Sequence, residues 1–175
     1  MESLEWYAIR ATGLVAYLLL YLAALTGLYS TVQKKRKKKI NGILHFHEVL
    51  SDWAFIMTCG HLGILLIDSY FPFKLSELFI PFASGYETIP MAIGTFAFYF
   101  LILTMITSKF RRNIGFQRWR KLHALNPILY ILVTLHGLLS GSDFPGMVLA
   151  AVNILPIMMM AGWFLLSKNR LTEAR

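Results

Sequence analysis

Five histidines are the residues of this 175-residue sequence best suited to chemistry, and spacing groups four of them. His47 and His61 stand fourteen residues apart, His123 and His136 thirteen apart, and His61 and His136 fall inside long apolar runs. A charged imidazole at membrane depth costs about 2–3 kcal/mol or more, so an intramembrane histidine marks a polar interhelical contact, a proton path or a cofactor. At about 100° and 1.5 Å per residue, fourteen helical residues return to within about 40° of one face and climb about 21 Å. One helix therefore offers ligands at two depths. Pairing His47 with His123 and His61 with His136 makes two bis-histidine sites about 20 Å apart along the membrane normal.

A b-type haem suits such sites, because its iron takes axial imidazoles on opposite faces while its flat apolar macrocycle is buried between helices. Two haems b per chain are the expected cofactors. Zinc fits less well, since it needs three or four converging ligands and Cys59, two residues before His61, would point about 200° away on a helix. Without a cofactor, the same histidines would line the polar path of a small transporter or channel. Such relays commonly recruit Asp or Glu, and the apolar runs contain only Asp52, near an end. His45 reads as an exposed neighbour, sixteen residues from His61 and so a poorer match to the helical repeat than His47.

The elements that must carry these histidines are membrane helices. With 57% hydrophobic and only 15% charged residues, the chain cannot cover a soluble globule of its size with polar surface. Five segments are long and apolar enough to span a hydrocarbon core of about 30 Å: Ala11–Val32, Val49–Ile67, Pro90–Ser108, Leu122–Ser140 and Met147–Ser167. The expected fold is an all-α polytopic bundle of five helices, its connections short except for Asp68–Ile89. Between Pro72 and Pro81 that loop suits a short amphipathic piece lying at the interface. Residues 1–175 read as one membrane domain with no soluble domain, and acidic Glu2 and Glu5 argue against a cleaved signal peptide.

Charge sets the orientation. Lys34 to Lys39 follow the first span, Lys109, Arg111, Arg112, Arg118, Arg120 and Lys121 lie between the third and fourth, and Lys168, Arg170 and Arg175 end the chain. All fall on one side of a five-span chain, leaving Arg10 and Lys74 for the other, so the amino end is expected outside and the carboxyl end in the cytoplasm of a multi-pass cell-membrane protein. The net charge of +8 is then a topological anchor facing anionic lipid rather than a nucleic-acid footprint.

Thirteen residues leave His123 and His136 about 140° apart on an ideal helix, so an irregular turn is expected near residues 123 to 127, where Pro127 follows Asn126. Gly13, Gly27, Gly60, Gly63 and Gly137 lie in or beside the spans, where small residues allow close helix approach or room for a macrocycle edge, and Gly60 and Gly137, each beside a histidine, are the best candidates for the latter. Met158, Met159 and Met160 point in three directions and read as packing. Arg10 could pair with a propionate or snorkel to the headgroups.

The stretches RATGLVAYLLLYLAALTG at 10–27, HEVLSDWAFIMTCGH at 47–61 and RWRKLHALNPILYILVTLH at 118–136 resemble the ferric reductase-like transmembrane domain. That family includes the membrane halves of ferric reductases and NADPH oxidases and the haem subunit of a methionine sulfoxide reductase system, and because some members have six spans the resemblance leaves six possible here, with 68–89 as the segment in question. The resemblance implies that His47, His61, His123 and His136 are axial ligands of two haems and that the chain is an electron-transfer subunit of a two-component reductase. No flavin or nicotinamide domain follows the last span, so a separate flavoprotein or a membrane quinol is the expected donor. Ferric iron, oxygen or an extracytoplasmic redox protein is the expected acceptor.

Overall fold

A computed structural model describes residues 4–37, 42–69 and 71–140, with Met158 and Gly162. The described chain is wholly helical, as alternating water and hydrocarbon demand: in lipid every backbone group must be satisfied within its own segment. Helix α1 (Leu4–Lys35) and helix α2 (Ile43–Ile67) form an antiparallel hairpin. After the short α3 (Leu75–Phe79), helix α4 (Thr88–Lys109) leads through α5 (Arg111–Ile114) to α6 (Phe116–His123) and α7 (Asn126–Ser140). Helix α4 packs chiefly on α7, giving a second hairpin that faces the first.

Among the described residues, four stretches are long and apolar enough to cross a membrane: Leu4–Lys34, Ile43–Ile67, Thr88–Lys109 and Phe116–Ser140. The fifth predicted span, Met147–Ser167, lies outside the described residues except for Met158 and Gly162, both helical. At five residues α3 is too short to cross, and it sits between Pro72 and Pro81 where the amphipathic piece was expected. Hydropathy places the starts of α1 and α2 too late, because a helix continues into the polar headgroup layer after its sequence stops being apolar. Ile43 begins α2, so His45 lies inside the helix, exposed, rather than just outside it.

Large apolar side chains cover the outside of the bundle. Trp53 and Ile56 of α2 are half exposed while Leu50 and Ala54 on the same helix are buried. Many of the buried residues are small, among them Ala16, Ala23, Ala54, Ala92 and Ala97, which lets backbones approach where lipid offers no hydrophobic drive for association. Thr12, Thr26, Thr58 and Thr107 bond the carbonyls of Ala8, Leu22, Ala54 and Leu103 one turn back, so their hydroxyls need no water.

The two hairpins are joined at mid-depth by polar contacts on an apolar bed. Tyr17 of α1 shares a hydrogen bond of 2.8 Å with the buried Tyr130 of α7, and reaches Thr134 at 3.2 Å. Their rings stack at 5.6 Å, with Tyr21 6.2 Å from Tyr130. Beside them Leu20 and Phe55 meet Ala97, Leu101 and Leu129. Near the basic loops, Lys109 pairs with Asp52 at 3.0 Å and Arg111 with Glu48 at 3.3 Å. Both pairs are solvent-exposed and contribute little.

The outer loop is tied down from below. Thr95 donates to the Leu78 carbonyl at 2.9 Å, Tyr99 to that of Phe79, and Phe71, Phe73 and Tyr86 form an aromatic cluster. If the tyrosine pair carries the contact between hairpins, a double-mutant cycle of Tyr17→Phe and Tyr130→Phe, read by denaturation in mixed micelles, gives a coupling of about 0.6–1.7 kcal/mol. Additive single losses would assign the contact to ring packing alone.

Candidate functional site

The four histidines all point between the hairpins, and three are held by one device. His61 Nδ1 lies 2.9 Å from the Ile9 carbonyl, His47 Nδ1 2.8 Å from that of Ala23, and His136 Nδ1 2.9 Å from that of Pro90. Four residues after each of these carbonyls stands a glycine: Gly13, Gly27 and Gly94. A helical side chain leans toward the amino end, so a Cβ at position i+4 overhangs the carbonyl of residue i. Glycine leaves that carbonyl open, and its second lone pair accepts from the imidazole.

The approach is close enough that a Cβ would crowd the imidazole at each position, most severely at Gly94. A Cβ built on Gly94 would stand 2.8 Å from Cε1 and Nδ1 of His136, one on Gly27 3.1 Å from Cε1 of His47, and one on Gly13 3.3 Å from Cε1 of His61. Fourteen residues separate Gly13 from Gly27, as fourteen separate His47 from His61, so both contacts fall in a single antiparallel register of α1 on α2.

This geometry assigns the protons. A carbonyl oxygen only accepts, so Nδ1 of His47, His61 and His136 carries the hydrogen and Nε2 keeps its lone pair for a metal. Such a bond from the far ring nitrogen is what orients a ligating histidine and raises its basicity.

At the inner level, the rings of His47 and His123 stand 6.1 Å apart, centroid to centroid, at 81°. Two imidazoles bound on opposite sides of one iron at metal–nitrogen distances of about 2 Å would have centroids about 6 Å apart. At the outer level, His61 and His136 line one cavity of about 310 Å³ between the hairpins, together with Gly13, Tyr17, Gly94 and Leu101. Phe73 and Tyr86 of the loop between α2 and α4, with Arg10 and Glu87, line it as well. A largely apolar cleft with two converging imidazoles suits a flat apolar ligand with a metal at its centre. Among the described residues no group of three or more His, Cys, Asp or Glu converges, so neither pair has the further ligands a tetrahedral zinc centre needs.

The expected irregular turn is present. Helix α6 ends at His123, Ala124 and Leu125 form a turn, and α7 begins at Asn126. That break lets two histidines thirteen residues apart serve the same side of the bundle. Arg10 lies within the first turns of α1 with its guanidinium 4.0 Å over the Trp6 ring. Gly60 and Gly137, expected to make room for a macrocycle, have open space beside them.

Gly94 and the three backbone acceptors were not foreseen from sequence. The matching interval of Gly13 to Gly27 and His47 to His61 was a signal available there. Gly94 had none, since its partner His136 is reached only through the packing of α4 on α7.

Compared with known protein families, residues 12–134, more than two thirds of the chain, match the model described as ferric reductase like transmembrane component. The match contains His47, His61 and His123 and ends two residues before His136. No curated protein and no solved structure matches the chain.

The glycine contacts predict a graded series. Gly94→Ala destabilises the detergent-solubilised protein most, by about 1–3 kcal/mol as expected for overpacking, followed by Gly27→Ala and then Gly13→Ala. Thermal denaturation ranks them, and an order unrelated to the three contact distances would show that the histidines are not what the glycines accommodate.

Proposed function

The chain belongs to the ferric reductase-like transmembrane component family, and from that premise we propose that it carries electrons across a cell membrane on two haems b. His47 and His123 would hold the inner haem, and His61 and His136 the outer. Membership of the family supports membrane electron transfer, and the observation that carries the finer reading is the common state of three histidines. Each of His47, His61 and His136 has Nδ1 committed to a helix carbonyl and Nε2 left free. A histidine-lined proton path has no need of such a uniform state, whereas axial ligation does.

Bound haem supplies a reversible one-electron carrier at each level. The chain's own residues bind, orient and exclude water. The helix carbonyls hold the imidazoles, the apolar cleft walls keep the outer site dry, and Tyr17 and Tyr130 fill the space between the two levels. Tyr130 stands seven residues after His123 and six before His136, so its depth is intermediate.

Lys34 lies in the last turn of α1 with Arg36 and Lys37 just after it, Lys109 ends α4, and Arg111, Arg112, Arg118, Arg120 and Lys121 lie in α5 and α6. By the positive-inside rule these basic residues support a cytoplasmic His47 and His123 level and an amino end outside. Electrons would enter or leave there through a separate flavoprotein or a membrane quinol, with an extracytoplasmic redox partner at the opposite face. The protein would thus be the membrane subunit of a two-component reductase.

The reduced-minus-oxidised spectrum of the purified protein, with a pyridine haemochrome count, tests this. Two b-type haems per chain are expected, falling to one in His61→Ala or His136→Ala and to one in His47→Ala or His123→Ala. Absence of haem after expression with ample haem supply would overturn the reading and favour transport.

A further inference from the structure

His123 departs from the device that holds the other three histidines. The repeat of fourteen that links Gly13 to Gly27 on α1 leads, on α4, from Pro90 to Thr104 and from Gly94 to Ser108. Where a glycine would open the Thr104 carbonyl, Ser108 has a Cβ that covers it. Both positions are used through their side chains instead. Thr104 Oγ1 lies 2.8 Å from Asn126 Oδ1, and Asn126 Nδ2 lies 3.3 Å from His123 Nδ1. Ser108 accepts the Trp119 indole N–H at 3.2 Å, and the Trp119 ring stacks on His123 at 5.0 Å and 28°.

The two ends of an amide are alike in size, so a half-turn of the Asn126 side chain exchanges oxygen and nitrogen without disturbing its surroundings. The two orientations set opposite states of His123. With the nitrogen toward the ring, Nδ1 must accept and the proton sits on Nε2, which then cannot ligate. With the oxygen toward the ring, Nδ1–H donates to it, the amide nitrogen donates to Thr104 Oγ1, and Nε2 is free as in the other three histidines.

We propose that Asn126 is the positioning residue of His123, its side-chain carbonyl replacing the glycine-exposed backbone carbonyl used at the other three sites, with Thr104 and Trp119 locking the arrangement. This rests on the two-haem reading. It makes the inner site the adjustable one, because a side-chain acceptor can be changed by a single substitution whereas a backbone carbonyl cannot.

The test uses the full chain. Haem is counted and the two midpoint potentials are measured by spectroelectrochemistry, the inner component being the one that His123→Ala removes. Asn126→Asp keeps an acceptor of the same length but charged, so it retains two haems and moves the inner midpoint to a lower potential with the outer unchanged. Asn126→Ser can still begin α7 but is too short to reach the ring, and weakens inner haem binding by about 10–100-fold, while loss of helix capping alone would leave the inner haem in place. Two haems in the parent protein with an unmoved inner midpoint in Asn126→Asp and full occupancy in Asn126→Ser would overturn the proposal alone. A parent protein whose one haem survives His123→Ala also overturns it, since His123 is then no ligand. A parent protein without haem overturns this proposal together with the reading beneath it.

Discussion

A helix carbonyl already bonded to its own fourth neighbour can accept a hydrogen bond from a ring on another helix only if no Cβ stands in the way. The arrangement of this protein turns on that condition. Gly13, Gly27 and Gly94 meet it, and their histidines can then lie close against the neighbouring helix with Nδ1 on Ile9, Ala23 and Pro90. In hydrocarbon this matters more than in water, because an imidazole N–H without a partner there has no solvent to turn to. The same contacts that orient the rings also bring α1 onto α2 and α4 onto α7, so helix packing and ligand orientation are one constraint.

The division into two hairpins follows. Within each, backbone approach through small residues and histidine bonds sets the register. Between them a cleft remains, and direct contact runs through the tyrosine pair, the apolar cluster around Leu101 and Leu129, and the exposed ion pairs of Lys109 with Asp52 and Arg111 with Glu48. The outer end is closed by a loop whose short helix is held by Thr95 and Tyr99 of α4. The inner end is bounded by α6, where Gly115 at φ +85° lets the chain leave α5 and start again at an angle that brings Trp119 against His123.

The two levels are therefore built differently. The outer pair rests on backbone at both histidines, in an enclosed cavity. The inner pair rests on backbone at His47 and on side chains at His123, next to the basic loops.

Much of this was legible from residue types and intervals. Partition between water and hydrocarbon is a local property, so four apolar runs read correctly as spans, and the basic residues read as gathered on one side. A helical repeat is local too, which is why fourteen residues placed His47 and His61 on one face and thirteen called for the break found at Ala124 and Leu125. Local pattern stops at the surface of its own helix. That Ile9, Ala23 and Pro90 are the acceptors, that Gly94 rather than Gly137 is pressed against His136, and that Asn126 stands where a glycine-exposed carbonyl stands elsewhere were decided only when helices met in register. Whether a carbonyl is open depends on the residue four places on, but whether anything comes to use it depends on another helix, and no single stretch of sequence contains both.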